Sequence, residues 1–132
     1  MTLVNAPWER YRDRLLPLIA RTARRNHHEF SEQVDRALSD KTAFLFLCED
    51  GFVVLEPQYR GPVIWVNVLF AYGWGENTIQ RYQHQIEHLA RQIGGRGVEL
   101  ITAVTALEPR LLQQGYTKVS GDEQIQHWEK AL

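Results

Sequence analysis

A chain of 132 residues, 44% of them hydrophobic, can bury about two thirds of its unfolded surface and hold a core without disulfides or metal, so one domain is expected. Its 15 Lys and Arg against 16 Asp and Glu leave a formal charge of -1, which provides no basic face of the kind nucleic acid requires. The apolar runs Ala43–Cys48 and Val63–Phe70 fall well short of the roughly 18 residues that span a membrane, and the N-terminus carries no apolar signal stretch; the expected location is cytoplasmic. Cys48 is the single thiol, so no internal disulfide can form, in keeping with a reducing compartment.

Between residues 8 and 25, Trp8, Tyr11, Leu15, Leu18, Ile19 and Thr22 recur at helical spacing, opposite Arg10, Arg14, Arg21, Arg24 and Arg25. Pro17 inside this pattern predicts a kink, or two helices meeting at Leu16. Ser31 reads as the cap of a second helix, with Glu32 and Asp35 in its first turn and an end near Ser39–Asp40. The period then changes to that of strands. Thr42–Cys48 and Phe52–Leu55 flank an Asp50–Gly51 turn and predict a hairpin, Pro57–Pro62 predicts a second connection, and Val63–Phe70 (VIWVNVLF) predicts a strand covered on both faces.

After the segment 71–76 comes a helix running to Ile93, with Ile79, Tyr82, Ile86, Leu89, Ala90 and Ile93 on one side. Gly94, Gly95 and Gly97 stop it. Val98–Ala106 predicts a strand parallel to Val63–Phe70 through that helical crossover. Glu108–Gln114, with Pro109 in its first turn and Gly115 past its end, predicts a short helix, followed by terminal strands at Tyr116–Val119 and Ile125–Lys130.

Gly73 and Gly75 leave a strand-to-helix turn whose backbone N–H groups, at the positive end of a helix dipole, suit a phosphate; Tyr72 and Trp74 flank it as lid residues or packed aromatics. Taken alone, a glycine in such a turn is better explained by the turn itself. His84-Gln85-Ile86-Glu87-His88 matches HxxEH, but the chain after it is too short for that metalloprotease class and both His oppose the apolar stripe. They read as a solvated face, and no metal is expected. His27–His28 reads as charge complementing a helix end, and Cys48 as a buried, inert thiol. Ser31, Ser39 and Ser120 lie in no nucleophile elbow. Glu49, Glu56, Asn67 and Tyr72 lie where a general base could stand, and the sequence does not choose among them, so the catalytic residues stay unassigned.

The order of elements, with Phe70-Ala71-Tyr72-Gly73-Trp74-Gly75, Leu111-Leu112-Gln113-Gln114-Gly115-Tyr116 and the ending Trp128-Glu129-Lys130-Ala131-Leu132, resembles the GNAT N-acetyltransferase superfamily over residues 8–132. The resemblance implies an α/β (α+β) fold with a mixed sheet of about six to seven strands flanked by helices. It also implies an acetyl-CoA slot where two parallel strands splay, with Phe70, Tyr72, Gly73, Trp74, Gly75 and Glu76 as cofactor-binding residues. Phe70 stands where the family has Gln or Arg, and Leu111 where many members have the tyrosine that protonates the departing thiolate. The asparagine usual before the short helix is absent from Thr105-Ala106-Leu107-Glu108, and the helix after the glycine turn is about one turn longer than is usual. The implied activity is transfer of an acyl group from acetyl-CoA to a small-molecule or peptide amine. A backbone N–H of the Val63–Phe70 strand would stabilise the oxyanion, and a carboxylate or water would move the proton. The alternative is a non-catalytic scaffold of the same fold, for instance a bacterial or phage-related accessory protein. It would act through protein contacts or as a homo-oligomer, with some of the four Trp as anchors and Trp65 in the core.

Overall fold

The computed structural model describes residues 3–25, 30–49, 51–73, 78–102, 108–121 and 125–132. In chain order the elements are β1 (Val4–Ala6), α1 (Trp8–Arg25), α2 (Ser31–Ser39), β2 (Phe44–Cys48), β3 (Gly51–Arg60), β4 (Val63–Gly73), α3 (Thr78–Gln92), β5 (Gly95–Thr102), α4 (Glu108–Gln113), β6 (Thr117–Gly121) and β7 (Gln126–Ala131). The strands form one seven-stranded sheet in the order β1-β2-β3-β4-β5-β7-β6. The β4–β5 pair is parallel, as the α3 crossover requires, and every other pair is antiparallel.

Each face of the sheet carries its own apolar cluster. On one side α3 and α4 cover Val53, Leu55, Val66, Val68, Val98, Leu100 and Trp128 through Ile86, Ala90 and Leu111. On the other, α1 and α2 bring Trp8, Leu15, Ile19, Val34 and Leu38 onto Leu45, Phe52, Val54 and Phe70. Fully burying side chains of this size contributes about 1.5–3 kcal/mol each. No described helix is long and apolar enough to cross a membrane.

Several boundaries differ from the sequence reading for physical reasons. Helix α1 runs through Pro17 as one element, so the chain is not two helices meeting at Leu16. Phe30, not Ser31, is the N-cap of α2 and makes no side-chain cap bond; Ser31 is the first helical residue. Pro57 does not end β3, which continues to Arg60 and leaves only Gly61–Pro62 as the connection. The β2 register ends at Phe44–Leu55, so Pro57 lies where one edge of β3 has no β2 neighbour to receive an N–H. Gly51 is paired with Cys48 rather than sitting in the turn. Strand β1, three residues long on the edge of the sheet, was not legible. Strand β5 begins at Gly95 rather than Val98, and residues 103–106 of the expected strand lie outside the described residues. The terminal strands run from Thr117 and Gln126.

Asp35, read as a first-turn acid, instead clamps α1 to α2. Its Oδ1 accepts Trp8 Nε1 and Arg12 Nε, and its Oδ2 accepts Arg12 Nη2, each at 2.8 Å. The Arg12 hydrogen bond, helped by Trp8, holds the carboxyl down at about 2 against partial desolvation. An unfolded Asp titrates near 3.9, so this stability is present in full above that value and is lost as pH falls towards 2. Asp35→Asn is expected to lower the melting temperature by a few degrees at pH 7, with the gap to the parent closing near pH 2 in thermal unfolding. A gap independent of pH would contradict the assignment.

Candidate active site at the strand fork

The feature that opens the sheet is one inserted residue in β4. Against β3, Val54 pairs with Phe70 and Leu55 with Val68, so the register passes over Leu69. Side chains alternate faces along a strand, and the extra residue reverses that alternation. Val66 and Val68 therefore join the α3 side, while Phe70 and Tyr72 turn to the α1–α2 side with Phe52 and Val54. Beyond the bulge β4 follows β3 as far as Gly73–Gly51.

Its pairing with β5 ends earlier, at Val68–Leu100. Strand β5 then follows β7, through Ile101–His127 and Thr102–Gln126. Beyond that pair the two parallel strands share no register among the described residues, and each follows its outer neighbour. This is the place where the sequence resemblance puts the splay.

The expected cofactor residues divide around this fork. The Phe70 ring is buried and packs at 5.6 Å from Phe30 and 5.5 Å from Phe52, so only its backbone faces the opening. Tyr72 is half-buried and stacks on Phe52 at 5.6 Å. Gly73 ends β4 beside Gly51. Trp74, Gly75 and Glu76 lie outside the described residues, as do His27 and His28. Leu111, at the position of the family tyrosine, is buried in the α3–α4 cluster, away from any role in proton transfer.

In the HxxEH segment His84 is 96% exposed and His88 is exposed, whereas Glu87 points inward. Cys48 is half-buried rather than buried, its Sγ donating to the Gly51 carbonyl at 3.1 Å. Ile93, placed on the apolar stripe by projection, is exposed at the end of α3.

Two polar groupings were missed by sequence reasoning. On the α3 side, Gln83 and Tyr116 are buried and bonded to each other, with Gln83 Nε2 donating to the phenol oxygen at 3.0 Å. Burial pushes the Tyr116 hydroxyl up to about 12, and the neighbouring Glu87 adds to the rise. Glu87, its side chain only 6% exposed, receives Lys130 Nζ at 2.6 Å. Both polar residues of α3 interrupt the apolar face that periodicity identifies.

On the α1–α2 side of the sheet, register aligns Glu56, Asn67, Glu99 and Glu129 in a row across four strands. Arg60 Nη2 donates to both Glu99 and Glu129, and its guanidinium lies 4.2 Å from the centroid of the Trp65 ring. Glu129 first and Glu99 after it raise the Arg60 pKa. His127 Nε2 approaches Glu99 Oε2 at 3.2 Å. Trp65 lies flat beside Gly97, where a Cβ would overlap its ring; that close approach, rather than a helix stop, is what Gly97 provides. Of the four candidate bases, Glu56 and Asn67 share this row, Glu49 is exposed at the β2–β3 hairpin, and Tyr72 belongs to the aromatic stack. A surface cavity of about 450 Å³ against α2 is lined by Glu32, Gln33, Arg36, Ala37, Asp40 and Thr42 and includes no residue of β4 or β5.

No protein-family model matches the sequence, and no curated protein matches it. Solved structures do. An aminoglycoside 6'-acetyltransferase type Ii is 17% identical, with a TM-score of 0.68 over 99% of this chain and 97% of that one. A GNAT family acetyltransferase from Listeria monocytogenes 4b F2365 is 11% identical, with a TM-score of 0.67 over 98% and 95% of the two chains. The PaiA N-acetyltransferase from Thermoplasma acidophilum, solved in complex with coenzyme A, is 14% identical, with a TM-score of 0.54 over 78% of this chain and 69% of that one. At such identities the likeness is one of fold, and the fold is that of the GNAT acetyltransferases, a seven-stranded mixed sheet flanked by four helices.

Proposed function

From this GNAT fold, we propose that the chain binds acetyl-CoA in the fork between β4 and β5 and transfers its acyl group to an amine. The observation that carries the reading is the parting of the two strands after Val68–Leu100, while each keeps its outer partner. The backbone edge of β4 from Leu69 to Ala71, which has no register with β5 among the described residues, is where an extended, amide-bearing chain such as the pantetheine arm would pair. A backbone N–H on that edge would meet the negative charge that grows on the thioester oxygen during attack.

In the reaction the amine nitrogen forms a bond to the thioester carbon and the carbon–sulfur bond breaks. The ammonium loses two protons in all, of which the CoA thiolate takes one and solvent the other. With Leu111 in the core, the thiolate proton comes from water or from a group other than that leucine. The pyrophosphate would fall to Gly73, Trp74, Gly75 and Glu76, which precede α3 in the sequence; Phe70 and Tyr72 would support it by packing rather than by charge. Coenzyme A bound to the Thermoplasma relative supports this ligand class.

Calorimetric titration with acetyl-CoA is expected to give saturable binding, and Gly73→Val to weaken it at least tenfold with the fold retained by circular dichroism. Unchanged affinity in the variant would place the ligand elsewhere. The second reading, a protein of this fold that acts through contacts alone, is favoured by the burial of Leu111 and Phe70. It predicts a stable assembly in light scattering and no heat with acetyl-CoA.

A further inference from the structure

We infer that the Asn67–Glu99–Glu129 row is a recognition subsite for a cationic amine, the acceptor of the proposed transfer; this rests on that reading of the fork. Asn67 is 8% exposed, and its Oδ1 is a buried side-chain atom without a hydrogen-bond partner among the described residues. A buried carbonyl oxygen in that state calls for a donor. Parallel register sets Asn67 beside Glu99, and antiparallel register sets Glu99 beside Glu129, so all three side chains lie on one face of the sheet. The next row, Val68–Leu100, is the last before the strands part, about 3.3 Å further along. A group held by Asn67 therefore sits at the root of the fork, next to the edge proposed to bind the thioester.

The charge around that oxygen selects the ligand. Glu56, Glu99 and Glu129 supply three carboxylates to the row, against the fixed cation of Arg60 among the described residues. Arg60 and His127 both reach Glu99 at the same oxygen, Oε2. Arg60 also shows what the surface accepts: a nitrogen cation carrying N–H donors, seated on carboxylates and flanked by the Trp65 face.

Oxygen ligands from Glu99 and Glu129 with the His127 ring nitrogen lie within 4.8 Å of one another, close enough for a metal ion. The Arg60 guanidinium already stands among them, bonded to both carboxylates, and its fixed positive charge opposes two further charges concentrated on a single ion. A primary ammonium fits better, because its three N–H groups can meet Asn67 Oδ1 and a carboxylate at once.

The test is calorimetric titration of 1,5-diaminopentane into the full chain at pH 7.5, with acetyl-CoA titrated separately into each protein. Saturable diamine binding is expected, weakened tenfold or more by Asn67→Leu and by Glu99→Gln and kept or tightened by Asn67→Asp, which adds charge to the same place. Should Asn67→Leu fail to fold, the opposite effects of Glu99→Gln and Asn67→Asp carry the decision. Acetyl-CoA binding without diamine binding, or equal diamine affinity in all variants, overturns the subsite and leaves the fork reading intact. Loss of acetyl-CoA binding in the parent protein overturns the fork reading instead. Micromolar Zn²⁺ binding that Glu99→Gln abolishes would make the row a metal centre and refute the inference.

Discussion

Trp128→Ala is expected to lower stability by about 3–5 kcal/mol, the range for removing a large aromatic from a packed core. Trp128 is fully buried in β7, opposite Leu100 of β5 and Lys118 of β6, and packs in the cluster that includes Val68, Ile86, Leu111 and Tyr116. β7 is also the strand through which β6 joins the sheet, so a cavity there loosens both the α3–α4 layer and that edge. Its indole Nε1 donates to Gln126 Oε1 at 3.2 Å, and truncation leaves that buried amide without its donor. A typical domain has about 5–15 kcal/mol in total, so the loss should appear as a fall of about 10–20 °C in the melting temperature. A loss below about 1.5 kcal/mol by urea unfolding would mean that β7 is not packed as described.

Lys130→Met is expected to cost about 2–3 kcal/mol, by a different mechanism. The substitution keeps the length of the side chain but leaves Glu87, 6% exposed, without the ammonium that now lies 2.6 Å from it. Breaking a buried pair from one side costs about 3–5 kcal/mol; Lys130 keeps 26% of its side chain in solvent, which places this pair at or below the low end. Replacing both partners removes the stranded charge as well, so Glu87→Met with Lys130→Met should regain most of the loss. Urea unfolding of the two single variants and the double variant measures this. Additive losses would show that Glu87 and Lys130 act independently.

How far the fold could be read from the chain depended on whether its determinants were local. The β2–β3 hairpin and helix α3 were legible because their apolar periods are carried by neighbouring residues, as in Phe52–Leu55 and at Ile86 and Ala90. The bulge at Leu69 was not. In VIWVNVLFAYG apolar residues occupy both faces, so the sequence holds no alternation that an inserted residue could visibly break. The fork was therefore expected from the order of elements, while its cause lies in the β3–β4 register.

The buried polar groups were hidden for a related reason. Gln83 and Glu87 lie next to apolar positions of α3, and what makes them tolerable there, Tyr116 and Lys130, comes from far along the chain. His127 and Glu129 stand two apart on one face of β7, but Glu99 joins them only because β7 pairs with β5. Gly97 was legible as a glycine but not for its use, since the Trp65 ring that needs the space belongs to the neighbouring strand.

The proposed function rests on one place, the edge of β4 after its bulge. The most direct measurement is an amide NMR titration of the isotopically labelled chain with acetyl-CoA. The account predicts saturable shifts concentrated at Leu69–Gly73, Ile101–Thr102 and the first turn of α3, with β1 and β2 unmoved. An absence of shifts at millimolar acetyl-CoA, or shifts confined to another surface such as α2, would contradict it.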